Sequence, residues 1–443
     1  MRKAYYAWLL ADTSTQLGSA IRAFALPVLV VIADGSNTRA GTLSAISSFI
    51  IAAVSLIGGV IIDRYDRRIL LLLSCAISLM IFGGSIAWLS FNRLTWIFLM
   101  VVAVLSALRG GMLGQTSNVL LRDVVEDEKL PRAMSINEGR DASIEIAAGP
   151  ISGFLITLGA IVPFIVEFVL NALAFAATLF LPSTKTKTAE GANDEESPTL
   201  SEQEIDNAAR GLQTKERRNL IVAMYRGLAN TVGEAWQGIA LIGKNRIFLL
   251  SVILSSLFFP MLNGLIFMLI LVMVDGGNSP ISAATLNSSV AVGVIIGSFL
   301  SAHITSRVAT GKILVIAFCM PVPFALGALC APNFVLRLGA LFFLLIMLPS
   351  GNAAFGGFVM KMIPKDLLGR VFSVLQLAGI AIAPIVSMFV GLGLDHLGAI
   401  LTGSVLIAVM AGVGAMSFSP LLRNIPRPDG WDDYIENLKI IRS

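Results

Sequence analysis

Long apolar runs separated by short polar connections repeat along most of the chain. They fall near residues 5–33, 41–62, 69–90, 95–120, 135–158, 162–181, 248–274, 281–302, 312–330, 335–360, 372–393 and 399–420. Each is roughly 20 residues or longer, enough to cross about 30 Å of hydrocarbon as a helix. In that medium every backbone polar group has to be satisfied within the segment, which helical runs of this length achieve. The pattern therefore predicts an all-α membrane protein with twelve transmembrane helices. Arg2-Lys3, the apolar stretch behind them and Gly18-Ser19-Ala20 imitate a cleavable leader, but the run continues to Ala33. That is longer than a leader's apolar core, so it is read as a retained first span.

Composition agrees: 56% of residues are hydrophobic and 14% charged, with a mean hydropathy of +0.83. A soluble chain of this length would lack the polar surface to cover its core. The connections divide by charge. Odd-numbered ones hold Arg39, Arg93 and Arg337, whereas the even ones and both ends hold Arg2, Lys3, Arg64, Arg67, Arg68, Arg122, Lys129, Arg132, Lys361, Lys365, Arg423 and many more. Basic connections stay in the cytoplasm, so both termini are expected there. Basic loops beside anionic headgroups also account for the formal charge of +4 without any nucleic-acid partner.

The longest polar interruption, Ser183 to about Arg218, splits the runs into two sets of six. The expected organisation is an N-terminal bundle (1–182), a linker (183–246), a C-terminal bundle (247–422) and a tail (423–443). Val232, Trp236 and Ile239 in the linker follow helical spacing and suggest an amphipathic helix at the interface. Trp431, Tyr434, Ile435 and Leu438 do so in the tail. Each face would either meet lipid headgroups or pack on the ends of neighbouring spans. The sets are repeats. Val125–Ser135 aligns with Ile363–Ser373 at an offset of 238 positions (370 minus 132), and the same offset carries Gly59 onto Gly297 and Gly153 onto Gly391.

Gly59-Val60-Ile61-Ile62-Asp63-Arg64-Tyr65-Asp66-Arg67-Arg68 ends one membrane-length run and closely precedes the next while carrying five charges. It resembles the loop motif of the major facilitator superfamily: Gly, three residues, Asp-Arg, any residue, usually Gly, then two basic residues. Asp66 stands where Gly is usual, and this Asp-Arg-x-Asp-Arg-Arg form is similar to the branch of macrolide and siderophore exporters. Ala25-Leu26-Pro27, Gly149-Pro150-Ile151-Ser152-Gly153 and Pro364–Ser373 resemble the same branch. The Gly-Pro-x-x-Gly run is also similar to the antiporter motif of exporters, with Phe154 where a second Gly is usual. The resemblance implies two pseudo-symmetric six-helix bundles with a substrate site near the midplane between them. It assigns helix packing to Gly149, Pro150 and Gly153.

Charges at membrane depth cost roughly 2.5–3.5 kcal/mol each and mark chemistry. Glu138, Asp141, Glu145, Gly149 and Ser152 form one stripe on the fifth span. Arg140 lies on the same helix off the stripe, Arg109 midway along the fourth span, and Arg22 past the middle of the first. Asp12, Gln16 and Ser19 share a face of the first span, and Glu167 and Asn171 are one turn apart on the sixth. The second half offers milder groups, such as Asn263, Asn287, Asn352, Lys361 and Gln376. Carboxylates beside one another in a low-dielectric cavity bind protons near neutrality, which makes Asp141, Glu145 and Glu167 candidates for proton coupling. Asp12, Gln16, Arg22, Arg109, Glu138, Arg140 and Asn171 are candidate cavity residues, and Arg109 is expected either to bias the carboxylates or to meet an anionic part of a substrate. The competing reading is an ion-pair network that simply ties the helices together.

A phosphate loop GxxxxGK[ST] is missing from the sequence, which disfavours an ATP-driven pump. His303 and His396 are isolated, and Cys75, Cys319 and Cys330 lack metal-site spacing, so neither an enzyme nor a cofactor is expected. The expected function is a secondary transporter in the bacterial-type inner membrane. Protons, lipid and a hydrophobic or amphipathic small molecule, drug-like, macrolide-like or siderophore-like, would be its partners. A passive facilitator, an uptake symporter and a non-transporting sensory relative remain alternatives. The resemblance further implies a gate on the cytoplasmic side, built from Asp63, Arg64, Arg67, Arg68, Asp123 and Arg370.

If Asp63 and Arg67 close that side, Asp63→Asn weakens a contact made only in the closed state. A loss of about 1.4 kcal/mol changes the population ratio about tenfold. Cysteine pairs across the cytoplasmic ends of the second and eleventh spans should then crosslink more slowly than in the parent. Unchanged crosslinking together with unchanged transport would leave the loop as a topology signal alone.

Overall fold

The computed structural model describes residues 3–125, 130–181, 246–362 and 368–440. The linker with Val232, Trp236 and Ile239 lies outside them. In the first half, α1 (Lys3–Asp34), α2 (Asn37–Arg64) and α3 (Arg67–Phe91) are followed by a broken span, α4 (Trp96–Leu113) and α5 (Thr116–Val124), then α6 (Leu130–Leu158) and α7 (Val162–Leu179). The second half holds α8 (Arg246–Asp275), α9 (Pro280–Arg307), the broken spans α10 (Thr310–Cys319) with α11 (Pro321–Cys330) and α12 (Phe334–Leu344) with α13 (Leu348–Met362), then α14 (Leu368–His396) and α15 (Gly398–Met416). The tail forms α16 (Pro420–Arg423) and α17 (Trp431–Ile440). Among the described residues, eleven helical spans are long and apolar enough to cross a membrane, and α14, whose described apolar part is Ala381–His396, supplies a twelfth.

Caps explain the tightness of the connections. Ser36, Thr95, Ser279 and Asn333 each accept a backbone N–H at the start of α2, α4, α9 and α12. Asp66 does the same for α3, accepting from Arg68 N at 2.8 Å. The residue that replaces the usual Gly of the loop motif is therefore a helix cap. The broken spans have local causes: Pro321 cannot donate to the preceding turn, and Gly114 and Gln115 part α4 from α5.

Large apolar side chains such as Phe49, Ile97, Phe299 and Ile400 point outward, as lipid contact requires. Inside, glycines let backbones touch. A methyl on Gly58 would lie 2.5 Å from Met112 O of α4, and one on Gly297 would collide with Ile346 O between α12 and α13. Gly59 faces open space, so the packing mate of Gly297 is Gly58, one position from the glycine that the repeat offset selects. The other pair holds. Gly153 on α6 meets Pro280 and Ile281 at the start of α9, and Gly391 on α14 meets Asn37 and Gly41 at the start of α2. Glycines at equivalent repeat positions thus carry the two equivalent contacts between the halves.

The tail packs on the second half rather than presenting its apolar face to headgroups. Trp431 Nε1 donates to Thr310 Oγ1 at 3.1 Å and to Pro426 O at 3.2 Å, and its ring meets Phe358 edge-on. Ile425 and Leu422 are buried beside it, and Tyr434 Oη donates to Leu421 O at 3.2 Å. Burial raises the Tyr434 pKa above its usual value. Lys361, counted above among polar groups at depth, pairs instead with exposed Asp432 at 2.7 Å. Trp431→Ala should therefore cost about 3 kcal/mol and lower the melting temperature in detergent, whereas Asp432→Asn should change it little, since exposed ion pairs contribute about 1 kcal/mol or less. Equal, small effects would mean that the tail only touches the bundle.

Candidate functional site

Helix α1 organises the polar interior of the first half. Arg22 Nη1 lies 2.7 Å from Glu167 Oε1 of α7. Arg22 Nη2 donates to Ser19 Oγ at 3.1 Å, and Asn171 Nδ2 donates to Glu167 Oε2 at 3.2 Å and to Glu167 O at 2.8 Å. Glu167 reaches this place because α1 carries Gly18 there; a methyl on Gly18 would sit 2.7 Å from Glu167 Oε2. The Arg22 guanidinium also lies 5.7 Å from the centre of the Phe82 ring. Removing either partner of such a pair costs about 3–5 kcal/mol, because the other charge stays buried.

A second cluster joins α1 to α6. Arg140 reaches buried Asp12 through Nη2 and turns back on its neighbour Asp141, with Nη2 at 2.7 Å and Nε at 3.0 Å from Asp141 Oδ1. Its Nη1 donates to Thr13 Oγ1 at 3.4 Å. Arg140 therefore belongs to the polar network although it lies off the acidic stripe. The stripe itself divides by depth: Glu138 and Glu145 are exposed, Asp141 is taken by Arg140, Gly149 packs on Ala284, and Ser152 donates to Ile21 O of α1 at 3.0 Å. Asp141 and Glu145, one turn apart, thus occupy different environments.

Arg109 on α4 is buried, and its Nη1 donates to Ser74 Oγ of α3 at 2.9 Å. It lines a cavity of about 430 Å³ within the first half, together with Asp12, Gln16 and Arg22 of α1 and a row of serines from α2 to α5. A second cavity of about 300 Å³ lies between the halves. There Glu145 and the amides of Asn263 (α8) and Asn287 (α9) share walls with Phe24, Ile266, Phe267 and Ile270. Ala23 and Pro27 of α1 line both cavities, so the two are neighbours across one stretch of helix. Charge sits on the first-half side and the second half presents apolar side chains with two amides. Asn352 lies elsewhere, in a smaller apolar cavity among α8, α10 and α13, and the side chain of Gln376 is outside those described.

Of the six loop residues assigned to a gate, the side chains of Asp63, Asp123 and Arg370 lie outside those described. Arg64 ends α2, and Arg67 begins α3. Arg68 donates through Nη2 to Leu179 O at 2.6 Å, closing the C-terminus of α7 within its own half.

A different junction between the halves is fully visible, at the end of the bundle poor in basic residues. Asp395, from the last turn of α14, seats its carboxylate on the N-terminus of α2. It accepts from Thr38 N at 2.8 Å, Asn37 N at 3.2 Å, Asn37 Nδ2 at 3.1 Å and Ser36 Oγ at 3.2 Å. Asn37 Nδ2 also reaches Asp275 Oδ2 at 3.4 Å. A carboxylate satisfying the free N–H groups of a helix from the opposite half uses the helix dipole as well as hydrogen bonds. The sequence reading missed Asp395 and Asn37, which look like ordinary loop polarity; the fact that Asn37 and Asp275 are themselves 238 positions apart was the available signal.

The major facilitator superfamily model matches residues 9–388. The chain belongs to that superfamily. No curated protein sequence matches it. Among solved structures, this major facilitator protein superposes on the inward-open xylose transporter XylE from E. coli with a TM-score of 0.61 and 12% identity, covering 98% of this chain and 99% of that one. A bacterial homologue of the iron transporter ferroportin, inward-facing, gives 0.61 and 13%, covering 93% and 98%. A peptide-transporter (POT) family protein bound to 5-aminolevulinic acid gives 0.62 and 13%, covering 94% and 96%. These likenesses establish the fold, and membership of the superfamily makes the protein a transporter that works by alternating access; at such identities the likenesses do not specify cargo. The Asp395 junction suits that cycle, because it must break for its end to open. Asp395→Ala removes a cap contribution of about 1 kcal/mol, roughly a fivefold shift toward the state open at that end. Spin labels at Asn92→Cys and Asn333→Cys should report longer distances in the variant, and an unchanged distribution would show the cap to be incidental.

Proposed function

We propose that this major facilitator protein exports hydrophobic or amphipathic small molecules from the cytoplasm in exchange for protons. The observation that carries the reading is Glu145, an exposed carboxylate in the cavity between the halves, opposite apolar Ile266, Phe267 and Ile270. An apolar molecule that displaced water from this carboxylate would leave its charge unsolvated, which links the charge on Glu145 to occupancy of the cavity. Asp141 extends the coupling: it shares Arg140 with Asp12, and its protonation would leave Arg140 to Asp12 alone. Glu167 takes part through Arg22, a cavity-lining residue whose charge it answers. The similarity of Asp63–Arg68 and Gly149–Gly153 to exporter motifs gives the direction and the drug-, macrolide- or siderophore-like class.

The membrane is the bacterial-type inner membrane, with the basic connections and both termini in the cytoplasm. The junction at Asp395 then closes the outer face, and the arrangement described is the state that takes cargo from inside. Arg64, Arg67, Arg68, Asp63, Asp123 and Arg370 would meet on the opposite side when the cycle reverses.

The test is transport in proteoliposomes under an imposed pH gradient, using a mixed library of amphipathic compounds. Glu145→Gln should abolish gradient-driven accumulation, by tenfold or more, while exchange without a gradient continues. Asp141→Asn should weaken coupling less, since Asp12 still pairs with Arg140. Normal accumulation in both variants would remove the proton role and leave the acids as structural.

A further inference from the structure

Each of the three arginines in the first-half interior is placed differently. Arg22 holds Glu167, and Arg140 holds Asp12 and Asp141. Arg109 has five N–H donors, is only 9% exposed, and among the described residues makes a single hydrogen bond, to Ser74 Oγ. Its Nε is buried without a partner. None of the described ion pairs involves it. A buried guanidinium in that position costs several kcal/mol unless something anionic meets it.

The same cavity wall contains two more buried polar atoms without partners, Ser106 Oγ and Ser117 Oγ. Hydroxyls both donate and accept, whereas a guanidinium only donates, so the unmet capacity of Arg109 itself is for an acceptor. A neutral ligand would leave its charge to be answered by water alone. A cationic one would meet both Arg109 and Arg22. The cavity, at about 430 Å³, has room for an ionic headgroup and its hydration. Beyond Ala23 and Pro27, the neighbouring cavity supplies the apolar walls, Phe24, Ile266, Phe267 and Ile270.

We propose that the first-half cavity is the head-binding site for a monoanionic amphiphile, whose carboxylate lies on Arg109 and whose apolar portion extends past Ala23 and Pro27 into the cavity between the halves. The planar guanidinium of Arg109, which lines this cavity, can offer a carboxylate two N–H groups. This deepens the export reading and rests on it for the molecule's role as cargo, but not for the binding itself.

Equilibrium binding of labelled octanoate to the full-length protein in nanodiscs of zwitterionic lipid, with no pH gradient, tests it. Octanoate should bind at least tenfold more tightly than octan-1-ol or octylamine competes. Arg109→Gln should erase that preference while leaving the octan-1-ol affinity unchanged, and Arg109→Lys should retain part of it. Equal competition by octan-1-ol, or a preference that survives in Arg109→Gln, would overturn the site. Nanodiscs containing phosphatidylglycerol separate two sources: displacement of octanoate by the anionic lipid identifies the native ligand as a bilayer amphiphile, and undiminished binding identifies a soluble one. Should Arg109→Gln not fold, the parent protein gives a second readout. Octanoate, but not octan-1-ol, should slow phenylglyoxal modification of Arg109 seen by peptide mapping, and equal modification would again overturn the site. Because no gradient is used, octanoate binding with normal Arg109 dependence alongside failed proton coupling would sink only the exchange reading, and the converse result only this one.

Discussion

A charge within the bilayer-spanning part of a protein has to be answered by another charge or by water, and the interior of the first half is arranged around that requirement. Arg22 and Glu167 stand 2.7 Å apart, and Arg140 joins Asp12 to Asp141. These pairs tie α1 to α7 and to α6, so the helix that lines both cavities is also the one most constrained by ion pairs. The second half has no comparable network among the described residues, and its helices are held by aromatic and aliphatic contacts such as Phe258 against Phe318, whose ring centres lie 5.0 Å apart. One half therefore resists deformation electrostatically while the other packs like an ordinary apolar core.

Contact between the halves follows a different rule. Gly153 on Pro280 and Gly391 on Asn37 bring backbones together with no side chains between them, and Asp395 adds directional hydrogen bonds at the start of α2. Apolar packing tolerates small sliding, whereas a carboxylate on a helix terminus is either seated or not. The combination gives the junction two discrete conditions, which is what a rigid-body switch needs.

Much of this was legible in the sequence because it depends on composition and period. Membrane-length runs, the charge asymmetry of the connections, the two sixfold sets and the acidic stripe on the fifth span all follow from residue type and spacing. Pairings across helices were not legible. Glu167 and Arg22 are 145 positions apart, and which acid meets which arginine depends on helix rotation that no local pattern encodes. Arg140 lies off the acidic stripe, and its long flexible side chain folds back onto Asp141. Gly58, rather than Gly59, turned out to be the packing glycine, since two adjacent glycines carry no mark of which one faces a neighbour. The Asp395 cap was hidden for a further reason: the helix it serves begins some 358 positions earlier.

The two glycine contacts also fix a geometry of motion. Both sit toward the same end of the bundle and are related by the internal repeat, so a line through them is a natural axis for one half to tilt against the other. Tilting that opens the far end leaves this line almost undisturbed, whereas tilting that opens the near end must separate both backbone contacts and unseat Asp395. The empty carrier is therefore biased toward one resting orientation, and the work of its cycle falls unevenly, most of it on the step that parts the glycine bearings.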